Sequence, residues 1–386
     1  MLLVNCGIDY YIWRVLKSRL NNRFWPKLQL VSSVAFLLAM LVFVFLPKRQ
    51  GDDGGFLVLM WSLYAYLSIY VSKLIFVVFD LTAKVPCLWK RKRCRAISYT
   101  GTTLALICFA AMWWGALVNR YRIDVQNVEF ASPQIPQSFD GFRIAQISDI
   151  HTGSYGEDDS FLKEMVEKVN SLHPDMIVFT GDIVNRHSQE LQPFVHTLSG
   201  LDAPYGVWSI LGNHDYGDYY DWTSEQDKLQ DIENLCRMQS RMGWHLLRNT
   251  HADIVKDADT LKLIGVENLG DPPFRNYGDL AASYPDLSDA KFKILLSHNP
   301  AHWTADIKGN ENINIPLTLS GHTHAMQMSI GHSISPAAFR YDTWGGMYAD
   351  SVGHNLYVNI GMGEVGIPAR IGATPEITII TLRHSK

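Results

Sequence analysis

Cysteine is scarce in this sequence of 386 residues, and where it occurs it is spaced for no structural task. Cys6, Cys87, Cys94 and Cys108 lie in the first part and Cys236 stands alone in the second, so neither a zinc-knuckle nor a redox pair is present. A lone thiol cannot close a disulfide within the second part, and the cysteines leave the redox compartment open. An excess of one charge is missing too. Lys and Arg total 34 against 38 Asp and Glu, a formal charge of -4, which argues against nucleic-acid binding by bulk electrostatics. No internal repeat or low-complexity tract is found. The length exceeds the usual size of one compact core, so more than one module is expected.

What is abundant is apolar sequence near the start. Leu28 to Leu46 and Gly54 to Ser72 are uncharged, the second run resuming after Lys73 as far as Phe79, and Ala96 to Asn119 is uncharged again. Each run reaches the roughly 20 residues that a helix needs to cross hydrocarbon. The pattern predicts a membrane anchor over 1–120 with three transmembrane helices near 28–46, 54–79 and 96–118, a linker or edge segment over 121–140, and a soluble domain over 141–386. A cleaved signal peptide does not fit, because the first apolar run starts late and two more follow. Arg14, Lys17, Arg19, Arg23 and Lys27 precede the first span, and Lys84, Lys90, Arg91, Lys92, Arg93 and Arg95 lie between the second and third. Three spans put these segments on one side, which the positive-inside rule makes cytoplasmic. The expectation is a multi-pass protein of the plasma or inner membrane with its soluble domain extracytoplasmic. The loop Lys48 to Asp53, of balanced charge, suits the opposite face. Lys73 is expected to snorkel, and Trp113, Trp114 and Tyr121 to form an interfacial belt.

The soluble part changes texture. Val125 to Asp140, with Pro133 and Pro136, reads as a connecting edge segment. Phe142 to Ser148 then reads as a buried strand, Phe161 to Leu172 as an amphipathic helix and Met176 to Thr180 as a second strand. A helical stretch at Glu190 to Leu198 leads to the strand Gly206 to Leu211. Alternation of this kind is an α/β layer pattern. Thr223 to Arg241 is helical in period, and strands follow at Leu261 to Val266, Lys293 to Ser297, Ile315 to Ser320, Leu356 to Ile360 and Ile377 to Leu382. Ala325 to Asp350 reads as irregular and aromatic.

Five of these strands end in polar residues of one chemical type: Asp149 and His151, Asp182, Asn213 and His214, His298, and His322 and His324. Strand ends are where an open α/β sheet binds ligands, so residues distant in sequence can converge there. Hard carboxylates beside neutral imidazoles suit divalent first-row cations, and the lack of thiolates argues against structural zinc.

In these residues the chain resembles the calcineurin-like metallophosphoesterases, whose blocks Asp-x-His, Gly-Asp, Gly-Asn-His-Asp, His and Gly-His-x-His recur here in order between residues 143 and 324. Gly363 to Gly372 with Pro375-Glu376-Ile377 is similar to the YkuE/YaeI-type bacterial branch, except that Ala325 stands where that branch usually has glycine. The resemblance implies a four-layered α/β sandwich with two divalent metal ions, drawn from Mn, Fe, Zn, Co or Ni. One would be held by Asp149, His151, Asp182 and His324, the other by Asp182, Asn213, His298 and His322, with Asp182 shared. Two such cations lower the pKa of a bridging water and clamp phosphoryl oxygens for in-line attack. His214 would stabilise the developing charge or protonate the leaving oxygen, Asp215 would orient His214, and Gly212 would let the backbone turn.

Asn185 and Arg186 are candidate substrate contacts, Arg186 to phosphate. Arg370 either closes the site or satisfies carbonyls in its own turn. The function these expectations converge on is a membrane-anchored hydrolase cleaving a phosphodiester or pyrophosphate bond of a phosphorylated small molecule or lipid-linked substrate. The branch includes enzymes of diacylated UDP-sugars acting at the cytoplasmic leaflet, which conflicts with an extracytoplasmic domain. The alternative from another class is a membrane receptor or scaffold that binds a phosphorylated ligand without turnover.

Overall fold

A computed structural model of the chain describes residues 2–45, 53–270, 275–331 and 333–385. The chain forms two compact units, Met1–Leu117 with Ile367–Ala369 and Val118–Gly366 with Arg370–Lys386.

The first unit is helical. α1 (Leu2–Arg19), α2 (Phe24–Phe45), α3 (Asp53–Thr82) and α4 (Arg95–Leu117) follow in order, and the last three are long and apolar enough to cross a membrane. α1 was not expected from hydropathy. Asn5, Asp9 and Arg14 interrupt its apolar face. Its Asp9 carboxylate accepts from Lys73 Nζ at 2.7 Å, Tyr70 Oη at 2.6 Å and Gln29 Nε2 at 3.0 Å. Lys73 therefore does not snorkel; its charge is matched inside the bundle. Asp80 is likewise enclosed, accepting from Arg19 at 2.7 Å and Tyr11 at 2.7 Å and contacting Arg93 and Ser98. Of the expected aromatic belt, Trp113 packs inward, with its ring 5.9 Å from Tyr64 and its Nε1 donating to Ser68 Oγ, whereas Trp114 stays exposed. Lys48 to Asp52 of the expected outer loop lie outside the described residues.

The second unit holds strands β1 (Asp124–Ser132), β2 (Arg143–Ile147), β3 (Met176–Phe179), β4 (Val207–Ser209), β5 (His245–Leu246), β6 (Thr250–Lys256), β7 (Asp259–Gly265), β8 (Lys293–Leu296), β9 (Leu317–Ser320), β10 (Gly346–Ala349), β11 (Asn355–Val358) and β12 (Glu376–His384). They build two six-stranded sheets, ordered β1-β12-β2-β3-β4-β5 and β10-β11-β9-β8-β7-β6. Strand periodicity explains the layers. Ile144, Met176 and Val178 face Leu261, Leu263, Ile294 and Leu296 between the sheets. Their neighbours Ala145, Ile147, Ile177 and Phe179 point the other way, onto a core shared with α5 (Ser160–Ser171). On the far sheet Ile264 and Leu295 face outward with Trp303 and Ile307. Strands covered on both faces read as continuous apolar runs, which is why they were legible, and each buried Leu or Ile contributes about 1.5–3 kcal/mol.

Three segments differ from expectation. Asp124–Ser132 is a full strand, β1, paired in parallel with β12. Glu190 to Leu198 is mostly a 3-10 segment, Ser188–Phe194, followed by one α turn, because Pro193 lacks the N–H an α-helix interior requires. Within the irregular stretch, Gly346–Ala349 pairs antiparallel with β11.

Candidate metal centre

β2, β3 and β4 are parallel neighbours in one sheet, as are β7, β8 and β9 in the other. The loops leaving them are stitched together by main-chain bonds, Asp149 N to Gly181 O at 2.9 Å and Gly321 N to His298 O at 3.0 Å. Across the sandwich, Gln146 Nε2 donates to Ser320 O at 2.8 Å. Two groups result. In one, Asp149, His151 and His324 bring ligand atoms within 4.8 Å of one another; in the other, Asp182, His298 and His322 do. Asp182 Oδ2 stands between them, 3.6 Å from His151 Nε2 and 3.2 Å from His298 Nε2. Asn213 Oδ1 adds to the second group, 2.8 Å from His322 Nδ1.

These groups converge only under strain. Asp149, His151, Asp182, His322 and His324 all have positive φ, between 50° and 76°, and each such non-glycine residue costs on the order of 1–3 kcal/mol. His324 to Gln327 form a complete left-handed turn, closed by Met326 N to Thr323 O and held by Val365 N donating to Gln327 Oε1. Gly212, by contrast, is extended at φ -98°; what its missing side chain gives is room, since a Cβ there would overlap Asp182 Oδ1. Gly321 likewise leaves space for Asp149 and Ser148.

The polar atoms face one another in a way that calls for a cation. His298 Nδ1 donates to Thr180 O at 2.8 Å, which leaves Nε2 as a lone pair. That lone pair lies 3.0 Å from Asn213 Oδ1, also an acceptor, because the Asn213 amide nitrogen donates to Tyr219 Oη at 2.9 Å. In the other group His151 Nδ1 donates to Val184 O, so its Nε2 lone pair points at His324 Nε2, 3.0 Å away. The His298 side chain is 0 % exposed, and an acceptor enclosed against the half-buried Asn213 acceptor is costly unless a cation or a proton sits between them. The protons respond accordingly. Burial opposes a charge on His298, but the Asp182 carboxylate outweighs it and pushes the imidazole up to about 9. Burial and the neighbouring His298 hold His322 down at about 3. Burial disfavours the Asp182 carboxylate, yet His298 and His214 keep it ionised well below the usual range. Imidazoles that shed their protons to a metal, two carboxylates and an amide oxygen fit divalent first-row cations.

His214 lies on the half-open side of the site. Its Nδ1 is 2.6 Å from Asn185 O, and its ring stacks on Tyr219 with centroids 3.9 Å apart at 12°. Asp215 does not orient it. The buried Asp215 carboxylate instead accepts the main-chain N–H groups of Asp182, Ile183, Val184 and Gly212 at 2.8–3.3 Å, tying two motif loops together. Burial, followed by the nearby Asp182 charge, pushes its carboxyl up to about 7.

The candidate substrate contacts are also corrected. Arg186 is buried and its Nε donates to Glu190 Oε1 at 3.0 Å, so its charge is already matched inside the fold. The Asn185 side chain points away from the ligand groups, donating to Ser154 Oγ and Glu364 O; only its carbonyl serves the site, through His214. Arg370 is fully buried, donates to the carbonyls of Ile360 and Gly363, and places a guanidinium nitrogen 3.1 Å from His324 Nδ1. Tyr219 and Tyr341, whose ring meets His322 edge-on at 5.9 Å, were missed. The aromatic density after Asp215 was the available signal for Tyr219.

Residues 142–326 match the family "Calcineurin-like phosphoesterase", and residues 1–120 match the family "Probable Calcineurin-like phosphoesterase, transmembrane domain". The chain belongs to the calcineurin-like phosphoesterases and is a membrane-associated metallophosphoesterase. Among its relatives, the "Uncharacterized metallophosphoesterase YkuE" of Bacillus subtilis is 33% identical, covering 73% of this chain and 93% of that one. A zebrafish (Danio rerio) "Transmembrane protein with metallophosphoesterase domain" is 31% identical over 83% of this chain and 73% of its own. The "UDP-2,3-diacylglucosamine pyrophosphatase LpxG" of Chlamydia trachomatis is 27% identical over 61% of this chain and 80% of its own.

Proposed function

We propose that the protein hydrolyses a phosphodiester or pyrophosphate bond at a two-metal site, with Asp149, His151, Asp182 and His324 holding one cation, Asp182, Asn213, His298 and His322 the other, and Asp182 shared. The observation that carries this reading is the gathering of six carboxylate and imidazole side chains into two adjoining groups, with the acceptor His298 Nε2 set against the acceptor Asn213 Oδ1. Two divalent cations held there supply Lewis acidity toward a phosphoryl oxygen and an acidified water as nucleophile.

The chain's own residues do the rest. Asn185 O fixes the His214 ring through Nδ1, so Nε2 is the nitrogen left to meet the leaving-group oxygen and, when the ring is protonated, to give it a proton. Tyr219 holds the plane of that ring and the amide of Asn213 at once. Asp215 serves through the backbone, keeping Asp182 and Gly212 in register. A lipid-linked or cell-envelope substrate is supported by the membrane helices and by the diacylated substrate in the name of the chlamydial relative. The basic segments before α2 and between α3 and α4 support a cytoplasmic location for both, and hence an extracytoplasmic domain, whether or not α1 also crosses the bilayer.

Asp182→Ala or His322→Ala in the full chain should abolish manganese-dependent hydrolysis of an aryl phosphodiester while the protein remains folded by circular dichroism. Retained turnover would refute the assignment, and binding without turnover by the unaltered chain would favour a receptor. A reporter fused after Lys386 that is active only in the cytoplasm would overturn the orientation.

A further inference from the structure

The loop that carries His324 leaves the centre and comes back to it. It departs through the left-handed turn His324 to Gln327 and returns at Tyr341, whose ring rests against the metal-site residue His322. Between these points, residues 325–339 contain no Lys, Arg, Asp or Glu. The apolar side chains among them face solvent: Phe339 is 96% exposed, Ile330 75% and Ile334 63%, with Met326 and Met328 partly so. They are grouped, not scattered. Ile330 N donates to Ile334 O at 2.8 Å, closing a tight hairpin that sets the two isoleucines side by side, and the 3-10 turn Pro336–Phe339 begins two residues later. The hairpin is also rigidly placed. Ser335 Oγ donates to Ala325 O, Ser329 N to Ile371 O, and Tyr341 N to Ala337 O. Grouped apolar side chains on a braced, uncharged loop beside a reaction centre mark a binding surface.

We infer that this loop is the docking surface for the hydrocarbon chain of a membrane lipid whose phosphate enters the metal centre. The inference rests on the reading of that centre as a phosphoesterase acting on a lipid-linked substrate, and it assigns the segment that holds the acyl chain. Three features select hydrocarbon over another protein. The loop has no Lys, Arg, Asp or Glu until Arg340, which stands beside Tyr341 on the side of the centre, where an anionic headgroup would arrive. Only residues 118–123 separate β1 from α4, a helix long and apolar enough to cross a membrane. Isoleucine, methionine and phenylalanine, flanked by serine and glycine, are the side chains that partition into the boundary between headgroups and acyl chains.

The test uses the full chain in nanodiscs and p-nitrophenyl alkyl phosphodiesters carrying 2-, 8- and 16-carbon chains. The unaltered protein should show kcat/KM rising at least tenfold from the shortest to the longest ester. The double variant Ile330→Asn, Phe339→Ser should lose that rise while its kcat/KM for the two-carbon ester stays within twofold and its metal content is unchanged. A chain-length preference that survives in the variant, or an equal fall on all three esters, overturns the inference. A second readout is independent of turnover: a photoreactive benzophenone analogue of phenylalanine at position 339, irradiated in nanodiscs. Lipid adducts found by mass spectrometry support the docking surface even if no ester is hydrolysed, which would refute only the catalytic reading. Adducts confined to protein, from a second copy or another chain, overturn it.

Discussion

Asp9 and Asp80 among the helices and Asp149 and Asp182 in the sandwich are all buried carboxylates, and the two pairs are neutralised in different ways. Among the membrane helices Asp9 faces the Lys73 ammonium and Asp80 faces the guanidinium groups of Arg19 and Arg93, so each of these two carboxylates meets a permanent positive charge. In the sandwich, Asp149 and Asp182 meet imidazoles, whose charge comes and goes with a proton and whose lone pairs can instead take a metal. The first arrangement is complete as it stands and locks helices together. The second takes a proton or a cation from outside, and that exchangeability separates a structural ion pair from a metal site. Burying a charge without a partner is too costly to persist, so the identity of the partner reports the purpose of the burial.

The sharpest way to break this comparison is to neutralise one carboxylate of each kind. Asp149→Asn should lower turnover by about a thousandfold or more, equivalent to about 4 kcal/mol of barrier, and reduce bound metal from two equivalents toward one by elemental analysis. Asp9→Asn should leave metal content unchanged. If Asp9→Asn also removed metal, the contrast would fail.

Chelation comes next in size. If the cations are held at about a hundred times their dissociation constant, removing them should cost the sandwich on the order of 2.7 kcal/mol. The effect should be seen as an earlier unfolding transition for β-structure, with the helical transition unmoved. Asp80→Asn would act in the reverse sense, leaving Arg19 and Arg93 facing each other without a counter-charge. The expected cost is about 2 kcal/mol or more in the helical transition, not recovered by added metal.

The smallest effect sharpens the comparison from a third side. Asp350 needs no cation, because it accepts the N–H groups of Gly309, Val352, Gly353 and His354 and the ring of His354. Against the opposing effect of its partial burial, those bonds hold its carboxyl down at about 2. A depressed pKa means stability that is present above the ordinary carboxyl value of 3.8 and is lost as pH falls through about 2. Asp350→Asn should flatten that part of an acid-unfolding curve and leave turnover at neutral pH unaltered.

The residues that converge in the candidate site were legible because each sits where an apolar strand stops, and both the strand and its polar end are local patterns. What holds those residues in place was not. The partner of His214 is a carbonyl 29 positions away, the partners of Asp215 are amides on another loop, and the Tyr219 stack depends on a turn whose path no periodicity records. Asp215 was misjudged for this reason: adjacency to His214 in sequence suggested contact, but neighbouring residues in a tight turn point to different sides. In the same way α1 and Lys73 could be read only together, since Asp9 makes an apolar helix look broken until its counter-charge arrives from α3.

The position of β12 carries one more consequence, for how the chain is made. β12 lies inside its sheet, parallel to β1 on one side and antiparallel to β2 on the other, with Asp124 paired to Glu376 across about 250 positions. During synthesis β1 must therefore wait, with no neighbour to accept its hydrogen bonds, until nearly every other strand has emerged. Contacts this distant in sequence make folding slow. An open sheet edge exposed for that interval is a site where another chain can pair wrongly, and ribosome-bound chains ending before residue 376 should be protease-sensitive throughout this sheet.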